Sequence, residues 1–240
     1  MTARVSHTSP RQAAILAGMG YLIIFVLAMF ANFVVREGLI EPGDAAATYA
    51  NIAADQGLFR AGTVSFLIVF VLDVLIAWAL YVLFKGYDRD LSLLAAWLRL
   101  TYTVLLGVAV VFMVGVIGLV SGAEHLAAFD QAQLEALVTI LMNAFDHAWL
   151  VGLACFGVHL VALAYLMLAS DTAPRLLAFV VALAGLAYVV DTAANILLVS
   201  YEEYASYFLM MVAAPSIIGE MWLAFWLLLR AGKETVGGTT

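Results

Sequence analysis

Long apolar stretches alternate with short polar stretches along the whole chain. A helix that crosses a lipid bilayer needs about 20 mostly apolar residues at a rise of 1.5 Å per residue. The fourth stretch exceeds that need, so we expect its first two turns at the membrane surface and its buried part to begin near Asn143. The pattern predicts an all-α fold, a polytopic transmembrane helical bundle with six spans at residues 13–35, 58–84, 91–120, 134–168, 175–199 and 208–230.

The polar stretches between these spans are predicted to be loops. Pro174 ends the fourth stretch because proline disfavours the helical conformation in the residue before it. The acidic pair Glu202 and Glu203 marks the loop before the sixth span. One six-span domain is therefore expected at residues 13–230, preceded by a short segment (1–12) and followed by a Gly/Thr-rich tail (231–240) that is expected to be disordered.

The basic residues of the loops predict the orientation of the protein. Lys and Arg accumulate on the cytoplasmic side of polytopic proteins. On one side of the six-span arrangement only Arg36 and Arg60 are basic, whereas acidic residues are common there. We therefore expect both ends of the chain in the cytoplasm and the protein in the cytoplasmic membrane. The basic residues of the side assigned to the cytoplasm are Arg4, Arg11, Lys85, Arg89, Arg175, Arg230 and Lys233.

The composition excludes several classes of protein. Of the 240 residues, 66% are hydrophobic and 11% are charged, with a mean hydropathy of +1.07. A water-soluble domain of this size cannot bury so much apolar surface, so membrane lipid is the expected partner. Nucleic acid is not expected as a partner, because the 10 Lys and Arg residues are scattered and the net charge is −7. The single cysteine, Cys155, excludes an internal disulfide.

Nine polar or charged side chains remain inside the predicted spans. A charge near the centre of a bilayer costs at least a few kcal/mol, so such residues normally face the interior of the protein and pair there. Counted from the cytoplasmic ends of the spans, one group lies at about 12–16 Å and a second, outer group at about 24–33 Å. The inner group comprises Asp73, Arg99, His159 and Glu220, and the outer group comprises Asp146, His147, Asp191 and Asn195. Asn143 completes the set.

The charges of these two groups do not balance. If Asp73 pairs with Arg99, the carboxyl groups of the other spans have no fixed basic partner. A buried carboxylate without a partner takes up a proton or binds a cation. The sequence therefore predicts an interior that handles protons or binds cations. The three surplus carboxyl groups are those of Asp146, Asp191 and Glu220.

Simpler structural roles remain open for several of these residues. Asp73 and Arg99 can form an ion pair that only holds two helices together. His159 can serve as an interhelical hydrogen-bond donor rather than as a ligand. Asp146 and His147 can lie close enough to the outer membrane surface to contact water. Glu220 is the strongest single candidate for function, because it is deep in its span and follows Pro215, which should kink the sixth helix.

Several cofactor-dependent chemistries lack the residues that they need. A haem between two histidines requires His on two helices, whereas only the fourth span carries intramembrane His. No lysine lies in a span to form a retinal Schiff base. The chain has no HExxH, Walker A or GxSxG motif. No cofactor is therefore expected. A metal site built from Asp146, His147 and Asp191 has suitable ligand types but no ligand-spacing motif, so no metal is assigned.

The stretches that carry the polar residues resemble a bacterial family of membrane proteins, the domain-of-unknown-function 4386 group. The resemblance extends over about residues 10–230 and implies a six-span fold. It implies no activity, substrate or cofactor. The motifs that carry it are Leu72-Asp-Val-Leu-Ile-Ala-Trp-Ala-Leu-Tyr-Val-Leu83, Leu93-Leu-Ala-Ala-Trp-Leu-Arg99, Phe156-Gly-Val-His159-Leu, Pro174-Arg175 and Gly185-Leu-Ala-Tyr-Val-Val-Asp191.

Three functions are consistent with the sequence. The first is binding or transport of a small ligand, ion or proton between the helices, the ligand being cationic or hydrophobic. The second is an intramembrane enzyme that acts on a lipid or isoprenoid, with Glu220 or Asp73 as the general acid. The third is a membrane subunit or sensor whose polar groups only specify helix packing. The sequence does not decide whether the protein is an enzyme, nor its oligomeric state.

Overall fold

A computed structural model describes residues 8–232, apart from the side chain of His125. Residues 1–7 and 233–240, which belong to the predicted terminal segments, lie outside the described residues. Within residues 8–232 all regular structure is helical. The helices are α1 (Pro10–Met29), α2 (Glu37–Leu39), α3 (Ala45–Ala54), α4 (Gln56–Phe84), α5 (Arg89–Leu119), α6 (Gln131–Ala169), α7 (Arg175–Leu197) and α8 (Tyr201–Leu229), with a π-helical segment at Phe30–Arg36 and a 3-10 helix at Glu124–Ala128.

The predicted fold class is confirmed, since the described chain is all-α and six of its helical stretches are long and apolar enough to cross a membrane. The first of these stretches is continuous from α1 to α2, over Pro10–Leu39. The other five are α4 to α8. Helix α6 is a single helix of 39 residues, about 58 Å long at 1.5 Å per residue, which exceeds the hydrocarbon core as expected. The orientation of the ends stays a prediction.

Two predicted loops are in fact helical. The polar stretch after the first span contains α3, which begins because the Asp44 side chain accepts a hydrogen bond from the backbone N–H of Ala47 and its alanine-rich sequence favours helix. The acidic pair Glu202 and Glu203 lies in the first turn of α8 rather than in a loop. Negative side chains stabilise the positive end of a helix dipole, so these acids favour an earlier helix start.

The chain divides into two compact units. Of the described residues, unit 1 contains 8–22, 73–101 and 153–232, and unit 2 contains 23–72 and 102–152. The divisions within the first span and within α4, α5 and α6 fall inside continuous helices.

In unit 1, glycines allow helices to approach closely. A Cβ atom built on Gly157 of α6 would lie 2.5 Å from the carbonyl oxygen of Gly185 of α7, and the reverse distance is the same. No side chain fits at such a crossing, so both positions require glycine. Near the beginning of α1, the guanidinium of Arg11 donates hydrogen bonds to the carbonyl oxygens of Leu227 and Ala231, which satisfies the exposed carbonyls at the end of α8.

In unit 2, an aromatic cluster packs beside a helix irregularity. The rings of Phe66, Phe145 and Trp149 contact one another with centroid distances of 5.1–5.4 Å. Arg36 ends the π-helical segment of the first span, and its guanidinium lies 4.6 Å from the centroid of the Phe145 ring. The sequence pattern did not predict this π-helical segment.

Candidate functional site

Four helical segments of unit 1 bring buried polar side chains into direct contact around Arg99 of α5. Its guanidinium forms an ion pair with Asp73 of α4. Nitrogen Nη1 donates a hydrogen bond to the hydroxyl oxygen of Tyr21 of α1 at 2.6 Å and lies 3.4 Å from Nε2 of His159 of α6. All four side chains are buried, Arg99 and His159 each at 1% exposure. We call Tyr21, Asp73, Arg99 and His159 the Arg99 cluster.

The contacts of His159 fix its tautomer. Ring nitrogen Nδ1 lies 2.8 Å from the carbonyl oxygen of Ala95, which can only accept, so Nδ1 carries a proton and donates. Nitrogen Nε2 faces the guanidinium of Arg99, which can only donate, so Nε2 accepts. The neutral Nδ1–H ring satisfies both partners at once, and a second proton on Nε2 would oppose Arg99.

Aromatic rings surround the guanidinium and connect it to α7. The carbon Cζ of Arg99 lies 4.8 Å from the ring centroid of Tyr21 and 5.2 Å from that of Phe156. Cations are attracted to the faces of aromatic rings, which partly replaces the hydration that the guanidinium loses on burial. The Phe156 ring also stacks on His159 at 5.8 Å and meets the ring of Tyr188 edge-on at 5.5 Å.

Glu220 of α8 lies at the edge of this arrangement, partly exposed, with the hydroxyl of Tyr188 as a hydrogen-bond partner. The Tyr188 hydroxyl is a hydrogen-bond partner of the Glu220 carboxyl group, whereas the buried Ser216 Oγ has no hydrogen-bond partner among the described residues. Glu220 also lies within electrostatic reach of Arg99 and Asp73. Helix α8 continues through Pro215.

The structure therefore brings together the four residues that the sequence placed at one depth. Asp73, Arg99 and His159 are in contact, and Glu220 interacts with the first two. Tyr21 was not among the residues that the sequence pattern singled out. The signal that could have found it is a face of small residues at helical spacing on α1, where Ala13, Ala14, Ala17 and Gly20 are all buried.

Of the three acids that we expected to lack a fixed basic partner, Asp146 has one, so that expectation is wrong for Asp146, whereas the partners of Asp191 and Glu220 are hydroxyl groups. Asp146 forms an ion pair with Arg36 within unit 2. Asp191 accepts a hydrogen bond of 2.7 Å from the hydroxyl of Tyr201 within unit 1. Glu220 is paired with Tyr188. The physical reason is that the first span and α8 extend further than predicted, which carries Arg36 and Tyr201 to these acids.

The outer group of polar residues is divided between the two units. Asp146 and His147 belong to unit 2, where the His147 side chain is exposed. Asp191 and Asn195 belong to unit 1, and both are hydrogen-bond partners of the Tyr201 hydroxyl. Among the described residues, no group of three or more His, Cys, Asp or Glu side chains could hold a metal ion. A site shared by the whole outer group stays a prediction.

The acids inside the helices differ in the charge of their partners. Asp73 has a guanidinium as its partner, whereas Glu220 and Asp191 have neutral hydroxyl groups. Around Arg99, one guanidinium therefore faces two carboxyl groups, those of Asp73 and Glu220. With both carboxyl groups ionised this arrangement carries a net charge of about −1, which an apolar environment opposes. A proton or a bound cation at Glu220 restores neutrality.

Three of the cavities in the described part of the chain have linings that contain none of Asp73, Arg99, His159 and Glu220. Two lie in unit 1, one of about 590 Å³ beside Trp222 and Arg230 and one of about 640 Å³ beside Lys85 and Arg230. The third lies in unit 2. A void shared by the inner group therefore stays a prediction.

Comparison with known proteins gives a family match over most of the chain. The model of a family described as "Domain of unknown function (DUF4386)" matches residues 16–231. An uncharacterized protein of Archaeoglobus fulgidus is 24% identical over 170 residues, which cover 71% of this chain and 83% of that protein. No solved structure matches the chain. Because this relative is archaeal, a bacterial source stays a prediction.

Proposed function

The chain belongs to the DUF4386 family, and from its buried charges we propose that it binds a proton or a small cation within the membrane, at Glu220. The observation that carries the proposal is the second carboxyl group beside an ion pair that is already neutral. Asp73 and Arg99 compensate each other, so the charge of Glu220 is the surplus. An uncompensated carboxylate in an apolar environment is stable only with a proton or a cation.

The neighbours of Glu220 suit both forms of its carboxyl group. A hydroxyl group can donate a hydrogen bond to a carboxylate and accept one from a carboxylic acid. Tyr188 supplies such a group to Glu220. The Tyr188 hydroxyl can therefore reorient as Glu220 gains or loses its cation, while the Arg99 cluster keeps its own contacts.

The Arg99 cluster would then act as a fixed positive centre beside the site. The ion pair and the Tyr21 hydrogen bond hold the guanidinium in place. Because Arg99 lies within electrostatic reach of Glu220, it moderates the cost of the ionised carboxylate and permits release of the cation. A positive charge near a carboxyl group favours its ionised form, which favours release of the bound proton or cation.

Infrared difference spectroscopy tests the proposal directly. We would titrate the pH of the protein reconstituted in lipid and record the carbonyl band of protonated carboxyl groups, comparing the wild type with Glu220→Gln. Glu203→Gln, which changes an exposed acid of the same helix, is the matched control. For metal cations, the unfolding temperature in detergent would be measured against the concentrations of Na⁺ and K⁺, because a ligand that binds the folded state raises it.

We expect a titrating carboxyl band, or a cation-dependent unfolding temperature, that persists in Glu203→Gln and is lost in Glu220→Gln. If the wild type shows neither effect, Glu220 binds nothing exchangeable, and the alternative of a structural membrane subunit replaces this proposal. A pH-sensitive dye inside proteoliposomes then distinguishes transport from binding, since only transport changes the internal pH when a gradient is imposed.

A further inference from the structure

The cavity of unit 2 is a groove between α4 and α5, open at the helix surface, with a volume of about 770 Å³. Its lining is apolar along nearly its whole length and is rich in valine. Valine side chains are stiff, so the walls of the groove are preformed rather than closed by rotation of side chains. The residues that line it are Arg60, Thr63, Val64, Leu67, Phe70, and, from α5, Val104, Gly107, Val108, Val110, Val111, Val114 and Ile117.

A glycine shapes the floor of this groove. A Cβ atom on Gly107 of α5 would lie 2.8 Å from the ring of Phe70 of α4. The missing side chain therefore lets the Phe70 ring lie directly against α5, and a larger residue would push the ring into the groove. The groove depends on this pair of residues for its depth.

Arg60 is the one charged residue of the lining, and it stands at one end. Its side chain is exposed and makes no hydrogen bond or ion pair within the described part of the chain. The neighbouring acid Asp55 has another role, because its side chain accepts a hydrogen bond of 2.9 Å from the backbone N–H of Leu58 at the beginning of α4. An exposed guanidinium without a protein partner at the end of an apolar groove matches an anion attached to an apolar chain.

The length of the groove fits one leaflet of a bilayer. From Arg60 to Phe70 the helix rises about 15 Å, and from Val104 to Ile117 about 20 Å. Half of a hydrocarbon core of roughly 30 Å is the depth that one acyl chain occupies. Arg60 lies in the second turn of α4, close to the polar end of this span, where a phosphate group would be found.

We propose that this groove binds one acyl chain of an anionic phospholipid, with the lipid phosphate on Arg60. The apolar walls hold the chain, and the guanidinium selects lipids with a net negative headgroup. All the lining residues belong to unit 2, whereas Glu220 belongs to unit 1. The inference therefore does not rest on the proposed cation site.

Native mass spectrometry of the full chain tests this binding. Detergent-purified protein would be mixed with phosphatidylglycerol or phosphatidylcholine of identical acyl chains, and the fraction of protein with one bound lipid would be compared. We expect retention of phosphatidylglycerol about fivefold above that of phosphatidylcholine, the ratio that one basic residue near a membrane surface supplies. In Arg60→Gln the two lipids should be retained equally.

A second experiment fills the groove with a large side chain. Val111→Trp places a large side chain in the groove at a position that is 65% exposed, and Val26→Trp, at 66% exposure outside the groove, is its matched control. Val104→Trp blocks the groove at the end opposite Arg60, and this variant is used instead if Val111→Trp does not fold. Loss of both lipids in the blocked variant and retention in Val26→Trp support the proposal. Equal retention of the two lipids by the wild type, or unchanged retention in the blocked variants, overturns it.

Discussion

Arg99 on α5 and Asp73 on α4 form an ion pair in which each side chain is only 2% exposed. Two charges removed so completely from their surroundings depend on each other, because either one alone would be left uncompensated at low dielectric. The pair therefore joins two membrane-spanning helices. Because this pair is neutral, an ionised Glu220 carboxyl group nearby adds a negative charge that has no compensating positive charge.

Removal of one partner should be far more harmful than removal of both. We expect Arg99→Leu to lower the free energy of unfolding by about 3–5 kcal/mol, since it leaves the Asp73 carboxylate buried alone. The double variant Asp73→Leu/Arg99→Leu should recover most of that loss. Thermal unfolding of the purified variants in detergent measures both effects. Normal stability of the single variant would show that water reaches the ion pair.

The ion pair of unit 2 should behave differently. The Asp146 side chain is 52% exposed and that of Arg36 is 19% exposed, so the pair is partly exposed, and an Asn at position 146 keeps an oxygen that can accept a hydrogen bond from Arg36. We expect Asp146→Asn to change the free energy of unfolding by less than about 1 kcal/mol. A loss as large as that of Arg99→Leu, measured in the same detergent, would contradict this interpretation.

His159 should be sensitive to the loss of its two ring nitrogens. His159→Phe keeps the ring stacked near Phe156 but removes the side-chain donor to the carbonyl of Ala95 and the acceptor beside Arg99, and we expect a cost of about 1–3 kcal/mol. His147→Phe on the same helix is the control, because that side chain is exposed. Equal stability changes in the two variants would indicate that the contacts of His159 contribute nothing.

The close crossing of α6 and α7 should not tolerate even one methyl group. Gly157→Ala places a Cβ atom 2.5 Å from the carbonyl oxygen of Gly185, so the helices must separate, at a cost of about 1–3 kcal/mol. Gly118→Ala is the control, because a Cβ atom there meets nothing within 4 Å. Calorimetry in detergent compares the two, and a tolerated Gly157→Ala would mean that the crossing relaxes easily.

The sequence predicted the inner group of polar residues well, since depth along a helix follows from a constant rise of 1.5 Å per residue. Asp73, Arg99, His159 and Glu220 come together in unit 1 as their depths indicated. The partners were less predictable. Tyr21 lies on the Arg99 guanidinium, although aromatic residues in membrane spans more often face lipid or the membrane boundary.

The sequence by itself determined the fold class and the six apolar stretches, because hydrocarbon admits long apolar helices and few charges. Only the tertiary structure decided which neighbour each acid has. Asp146 has Arg36, and Asp191 has Tyr201. Their pairing depends on where each helix ends and how it is rotated. Those features follow from packing between helices, which the spacing of polar residues along one helix does not contain.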